Sequence, residues 1–525
     1  MIKRSSVVRI AVVASIVIFF SLRVSWISDD ALITLRQALN LRHGWGPGFN
    51  PLENVQAYTH PLWFSAWVFL GYFTNEWIYS IVLFSLACTA LAVALIATVS
   101  RNVLSALVVA ILLVSSNAFI EYSTSGLENP LSYLLIGFII LLVVRAHSRT
   151  HIPDWEYAFF GLLCALAFLN RMDYAILLVP PILSVLWPHR RTVRVIASFG
   201  IALATPIVVW GTYSFRAFHA FLPNTFEAKR NLHIPLWEVL AQGITYIFFS
   251  MIHDPVSGII LIVGLVVALR SQSPGIRPIA FGIVLYLAYV IYVGGDFMAG
   301  RFLAVPVYMC IFLGVLSEPH FSFMPQRTIR SLAVFTVSGA VVLVGINAIT
   351  PITSIQNPQV PRWRYQSHSG ISDERGYFVQ GGHRSIQDLV VERHELIRSA
   401  ETIHHVFDPA QISLHEINFL ASTWPSAPEH FTLPIGVMTV CGQLGALGIG
   451  QGPATHLIDT CGLTDKFLAS LPFSAHSFHW RIGHFSRTVP DGYEQAVRLR
   501  DPSLVTDPVL SAHLKWLWSR ISHTW

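Results

Sequence analysis

Charge is what this sequence lacks most. Only 12% of its 525 residues are Asp, Glu, Lys or Arg, against roughly 25% in an ordinary soluble domain. With 53% hydrophobic residues and a mean hydropathy of +0.56, the composition excludes a soluble enzyme, a disordered chain and a nucleic-acid-binding domain. The basic excess is slight, 34 Lys+Arg against 29 Asp+Glu, and is not gathered into one tract. It reads as membrane orientation, not as a footprint for nucleic acid. Cysteine is scarce as well: five residues without a CxxC pair make neither a disulfide framework nor a zinc site. Cys88, Cys164 and Cys310 lie in apolar runs and are expected to be buried thiols. Cys441 and Cys461 fall in the polar C-terminal third, where an oxidising compartment would let them pair. No internal repeat and no inverted pair of broken helices is legible, which weakens a secondary-transporter reading. No small-x-small cleavage site follows the apolar stretch Val7 to Trp26, so that stretch is expected to be an uncleaved first span starting in the cytoplasm.

Long apolar runs are what the sequence has. After the first, they cover 77–99, 103–119, 130–146, 155–170, 174–187, 195–213, 254–270, 279–293, 303–317 and 330–349, and a bilayer span takes about 20 residues, fewer in a bundle. The expectation is a polytopic α-helical membrane protein of about eleven spans with its termini on opposite sides. Short cytoplasmic connections concentrate Lys and Arg; on this count Arg101, Arg145 with Arg149, Arg190-Arg191 with Arg194, Arg270 with Arg277, and Arg327 with Arg330 all fall inside. The acids Asp29, Asp30, Glu53, Glu128, Asp173, Glu227 and Asp296 then fall on the outer side. Two further apolar stretches, 61–73 and 239–252, are expected to lie in the outer interface. The predicted domains are a membrane module over 1–349, with a first outer loop at 28–76, and a soluble extracytoplasmic α/β domain over 350–525.

The first outer loop opens on Ser28-Asp29-Asp30 before the amphipathic stretch Ala31 to Leu41. Ser28 or Asp29 suits a helix N-cap, so a capped interfacial helix is one reading. The other makes one carboxylate a general base or a metal ligand. Adjacent helical residues point about 100° apart, so one acid would do the chemistry while the other caps or orients. A carboxylate taking the proton of a sugar hydroxyl contributes about 10²–10⁴ in rate.

From here the pattern resembles a known family. The segments Asp29-Asp30-Ala31 with Gly44-Trp45-Gly46, Tyr58-Thr59-His60 with Leu62-Trp63, Ser125-Gly126-Leu127-Glu128, Leu169-Asn170-Arg171, Leu222-Pro223-Asn224-Thr225 through Ala228-Lys229, and Gly294-Gly295-Asp296-Phe297-Met298 with Gly300-Arg301-Phe302 are similar to GT-C glycosyltransferases. The closer likeness is to the branch of terminal β-(1→2) arabinofuranosyltransferases of mycobacterial arabinan and their proteobacterial relatives. His60 and Met172-Asp173 depart from that pattern, and the C-terminal domain is shorter. The resemblance implies a sugar, arabinofuranose or a related pentose, moved from a polyprenyl-phosphate donor to an envelope glycan or glycolipid at the outer face of a bacterial cytoplasmic membrane. Asp29 and Asp30 are then the catalytic candidates. Tyr58, His60, Glu128, Arg171, Asn224, Lys229, Asp296 and Arg301 become substrate-binding candidates that would converge on one outer cavity.

Each of these has a plainer reading. Lys229 and Arg230 snorkel to headgroups, Asp296 pairs with Arg301, Arg171 pairs with Asp173, Glu128 caps the helix near Pro130, and aromatic residues crowd every membrane interface. No metal ligand set is complete, and a divalent cation at the acidic pair stays an alternative. His383, His394, His404 and His405 fit no usual ligand spacing. The segment Leu457 to Asp465, with Gly483-His484 beyond it, resembles a stretch near the family's end and suggests an acceptor-binding role. The rival function is a transporter or flippase of a lipid-linked sugar, which needs ionisable residues in mid-span; a non-catalytic assembly subunit leaves the acidic pair without a task.

Overall fold

The computed structural model describes residues 4–230, 232, 234–317, 370–382, 412–429, 433–473 and 482–522. The expected span at 330–349 and the histidines 383, 394, 404 and 405 lie outside the described residues. The chain forms two compact units. The first comprises Met1–Trp26, Val82–Val208 and Trp237–Arg364; the second comprises Ile27–Ile81, Val209–Leu236 and Tyr365–Trp525.

The first unit is helical. Its sequence supplies apolar stretches that lipid tolerates only when every backbone group is bonded internally, and the α-helix achieves this within one segment. Arg4–Arg23 packs on Val103–Ser115, Asn129–Ser148 on Asp154–Asn170, Tyr174–Leu186 on Ile276–Tyr292, and Pro255–Arg270 on Ala304–Ser317. Leu91, Leu104, Leu183, Ile201 and Phe248 stand more than half exposed on the helix surfaces, as lipid-facing side chains do.

All the runs expected as spans from 77 to 317 are helical. By length and composition, four helices among the described residues are fit to cross a membrane: Ser6–Arg23, Trp77–Val99, Asn129–Ser148 and Val193–Phe218. Six are fit if each of two bent pairs counts as one span, and three shorter apolar helices accompany them. The protein is thus a multi-pass helical membrane protein, with fewer full-length helices among the described residues than the eleven runs suggest. The first helix ends at Arg23, before the expected Trp26.

Two bends interrupt the apolar helices: one inside the expected span 103–119, which the sequence reading did not see, and one between the expected interfacial stretch 239–252 and the expected span 254–270. Val103–Ser115 turns by 82° into Asn117–Ser123, and Leu236–His253 turns by 111° into Pro255–Arg270. Ser116 caps the first break by accepting from the Phe119 amide at 3.1 Å. Asp254 caps the second by accepting from the Ser257 amide at 3.1 Å, with Pro255 where a helix needs no donor. The two breaks are also tied together. The Asp254 carboxylate accepts the Ala118 N–H at 2.9 Å, and the Ser116 and Ser257 hydroxyls lie 2.5 Å apart.

The second unit joins part of the chain's start to its end. Strands Gly436–Val440 and Thr455–Asp459 run parallel in register from Gly436 opposite Thr455 to Val440 opposite Asp459. The crossover between them carries the helix Leu444–Gly450. Leu52 and Val55 share one core with Ile458, Phe467, Tyr493 and Trp518, which is how the segment after residue 27 becomes part of the C-terminal fold. Glu53 fastens this edge, accepting from Trp518 Nε1 at 2.6 Å and from Arg500 at 3.0 Å. A disulfide links Cys441 to Cys461 across the ends of the two strands.

Candidate functional site

Four of the site residues expected from sequence meet in the first unit. Glu128 precedes the helix Asn129–Ser148 as its N-cap but makes no side-chain cap bond. Its Oε1 accepts from Arg171 at 2.8 Å and lies 3.5 Å from Arg301 Nη2. Arg171 follows the helix Asp154–Asn170 and also donates to both oxygens of Asp173, at 3.0 and 2.6 Å. Its guanidinium lies 4.5 Å from the centre of the Phe302 ring. Asp296 lies 3.6 Å from Arg301 and accepts from the Phe297 amide at 2.8 Å. The cluster thus holds two guanidinium groups among three carboxylates, all largely buried. Tyr286, which the sequence did not flag, adds a hydroxyl donated to Asp173 at 3.2 Å.

The loop carrying Asp296 and Arg301 has its shape because of its glycines. Gly294, Gly295 and Gly300 have φ of 83°, 76° and 77°, a region that L side chains rarely occupy. A Cβ on Gly295 would stand 2.4 Å from that of Tyr246. Backbone bonds then pin the loop: Gly300 N–H donates to Ser250 at 3.1 Å, Phe302 N–H donates to the Tyr246 hydroxyl at 3.1 Å, and Tyr122 donates to the Ala299 carbonyl at 2.9 Å.

The other six expected residues belong to the second unit. Ser28 is the N-cap of the helix Asp29–Arg42, accepting from the Ala31 amide at 3.2 Å. Asp29 is buried, and its two oxygens accept from the Gly445 and Ala446 amides at 2.9 and 3.0 Å. Asp30 is half-buried. Its carbonyl accepts from Thr34 Oγ1, which lies 2.9 Å from His60 Nε2. Tyr58 is buried, stacked on Phe64 with ring centres 4.0 Å apart. Asn224 donates through one amide nitrogen to the carbonyls of Gly462, Leu463 and Asp465, at 2.8, 3.2 and 3.3 Å. Lys229, just past the short helix Asn224–Ala228, is exposed.

The helix Asp29–Arg42 is not the amphipathic interfacial helix that its sequence suggests. Most of it is buried, including Thr34, Arg36, Gln37 and Asn40. Arg36 donates to the carbonyls of Phe49, Gly448 and Thr455 at 3.0, 2.7 and 2.7 Å, and burial pushes its pKa down to about 9. Burial likewise pushes Asp459 up to about 6, against the amides of Cys461 and Thr464 that favour its charge. Near the other end of the same strand, burial holds His456 down at about 4. Among the described residues no group of three or more His, Cys, Asp or Glu could hold a metal ion.

Comparison with known proteins finds glycosyltransferases similar to this chain. A profile described as dolichyl-phosphate-mannose-protein mannosyltransferase matches residues 60–211. The terminal β-(1→2)-arabinofuranosyltransferase of Mycobacterium tuberculosis is 25% identical over 538 aligned positions, covering 89% of this chain and 81% of that protein. Over most of its length the chain is similar to that glycosyltransferase. The protein of the same description from Corynebacterium glutamicum is 26% identical over 328 positions, and the match spans 54% of this chain but only 46% of that relative's length. Among solved structures, ArnT from Cupriavidus metallidurans bound to undecaprenyl phosphate gives a TM-score of 0.48 at 12% identity, over 86% of this chain and 85% of that one.

Proposed function

We propose that the protein is a polyprenyl-phosphate-dependent glycosyltransferase that moves arabinofuranose or a related pentose to an envelope glycan or glycolipid. It sits in a bacterial cytoplasmic membrane with its N-terminus inside and acts on the outer face. The observation that carries this reading is the similarity to a terminal arabinofuranosyltransferase over 89% of the chain. In this reading Asp30 takes the proton of the acceptor hydroxyl, because both oxygens of its neighbour Asp29 already accept backbone amides. Arg301 meets the leaving phosphate, which needs positive charge already in place. Glu128 steadies it, held in turn by Arg171. Lys229 adds positive charge for the donor, Tyr58 and His60 shape the sugar site, and Asn224 supports it.

The test offers membranes containing the protein a radiolabelled sugar in two forms, as short-chain polyprenyl phosphates and as sugar nucleotides, with envelope extract as acceptor. Label that reaches the extract from the lipid donor alone supports the reading. Transfer from nucleotides only, or from no donor, refutes it.

A further inference from the structure

Asp29 is bound to a part of the chain 416 residues away. Its Oδ2 accepts the Gly445 N–H at 2.9 Å and its Oδ1 the Ala446 N–H at 3.0 Å, so both carboxylate oxygens point into the first turn of the helix Leu444–Gly450. The approach is as close as backbone permits. A Cβ on Gly445 would lie 2.1 Å from the Asp29 carbonyl oxygen and 2.7 Å from Leu32 Cβ. Three residues on, and therefore on the same helical face, a Cβ on Gly448 would lie 2.7 Å from Arg36 Cδ. Arg36 closes that end by donating to the Gly448 carbonyl at 2.7 Å. The segment leading into this helix is held by the Cys441–Cys461 disulfide.

We propose that the Leu444–Gly450 helix is the positioning device of the acidic pair. Gly445 and Asp29 are its positioning residues, and the disulfide keeps it seated. The inference rests on the reading of Asp30 as the base. Asp29 and Asp30 are the first two residues of their helix, where the backbone amides have no partners within the helix and the turn frays readily. Anchoring the Asp29 side chain fixes the rotation of that turn and with it the direction of Asp30, about 100° further round. A misplacement of about 1 Å in a reacting group costs on the order of 10²-fold in rate.

The experiment compares wild type, Gly445→Ala, Asp29→Asn and Asp30→Asn as full-length protein in detergent, measuring kcat and the donor KM for polyprenyl-phosphate sugar. Gly445→Ala is expected to lower kcat by on the order of 10²-fold while the donor KM stays within about twofold. If Gly445→Ala fails to fold, Asp29→Asn decides. It keeps the volume but sets an amide N–H against one of the two backbone donors, and the same split of kcat from KM is expected. Dithiothreitol should lower the wild-type kcat in the same way, and a Cys441→Ser/Cys461→Ser variant should start low and not respond to it. Wild-type kcat in both Gly445→Ala and Asp29→Asn, with Asp30→Asn inactive, overturns the inference and leaves the base in place. So does a loss that appears in donor KM. Full activity in Asp30→Asn instead removes the reading on which the inference stands.

Discussion

Replacing Arg171 by Gln should be among the most damaging single changes in the first unit. Its guanidinium makes three bonds, two to Asp173 and one to Glu128, at 2.6 to 3.0 Å. It also covers the Phe302 ring. Glutamine carries no charge, so Asp173 loses its guanidinium and Glu128 keeps only that of Arg301. Removing one partner of a buried pair costs about 3–5 kcal/mol, because the stranded charge stays desolvated. Arg171→Lys keeps the charge but offers no planar fork to span two acids, and should fall between wild type and Gln. Taking away the stranded acid as well, in Arg171→Gln/Glu128→Gln, should recover part of the loss, with a coupling of about 1–3 kcal/mol. Thermal unfolding of these four proteins and of Glu128→Gln in one detergent measures the series and its coupling. An Arg171→Gln melting temperature equal to wild type, or strictly additive effects, would refute the claim that this cluster is held by its ion pairs.

Three other outcomes follow from the second unit. Folded His456 stays neutral down to about pH 4, whereas an unfolded histidine titrates near 6.5, so its contribution is full above 6.5 and is lost as the pH falls toward 4, by about 3 kcal/mol. Asp459, raised to about 6 from 3.8, acts with the opposite sign, its contribution being lost as the pH rises from about 4 to 6. The two offset each other in wild type, so melting temperatures at pH 4.5 and 7 should show His456→Asn gaining stability on acidification and Asp459→Asn losing it; parallel profiles would count against both shifts. Asn224→Ala leaves the carbonyls of Gly462, Leu463 and Asp465 without their shared donor, and a thermal melt should register about 1–3 kcal/mol. Glu53→Ala should have a larger effect than Glu53→Gln, because Gln retains an acceptor for Trp518 Nε1; equal melting temperatures would mean that the contact is idle.

The helices were legible because apolar run length is a local property. Arg171 with Asp173 was legible too, since the partners are two residues apart. The same arginine's bond to Glu128 crosses 43 residues and leaves no local trace. The break at Asp254-Pro255 falls between two apolar stretches that were read separately, 239–252 and 254–270, whereas Ser116 sits inside an apolar run that looks continuous and its break was missed. The helix Asp29–Arg42 misled for a different reason. Arg36, Gln37 and Asn40 look like a water-facing stripe, but their partners are backbone carbonyls at Pro47, Gly48, Phe49, Val55, Gly448 and Thr455. A buried polar face satisfied by distant carbonyls has the same periodicity as a solvated one. For the acidic pair, the sequence reading expected one acid to orient and one to react, but what separates them is the pair of amides at Gly445 and Ala446, which no spacing rule reaches.

The central claim is that Asp30 takes the proton of the acceptor hydroxyl during transfer from a lipid-phosphate sugar. The direct measurement is single-turnover transfer of radiolabelled sugar from the polyprenyl-phosphate donor by wild type and Asp30→Asn, with folding checked by thermal melt. The account predicts a rate lower by about 10²–10⁴-fold with donor binding unchanged. A folded Asp30→Asn protein that transfers at the wild-type rate would contradict it.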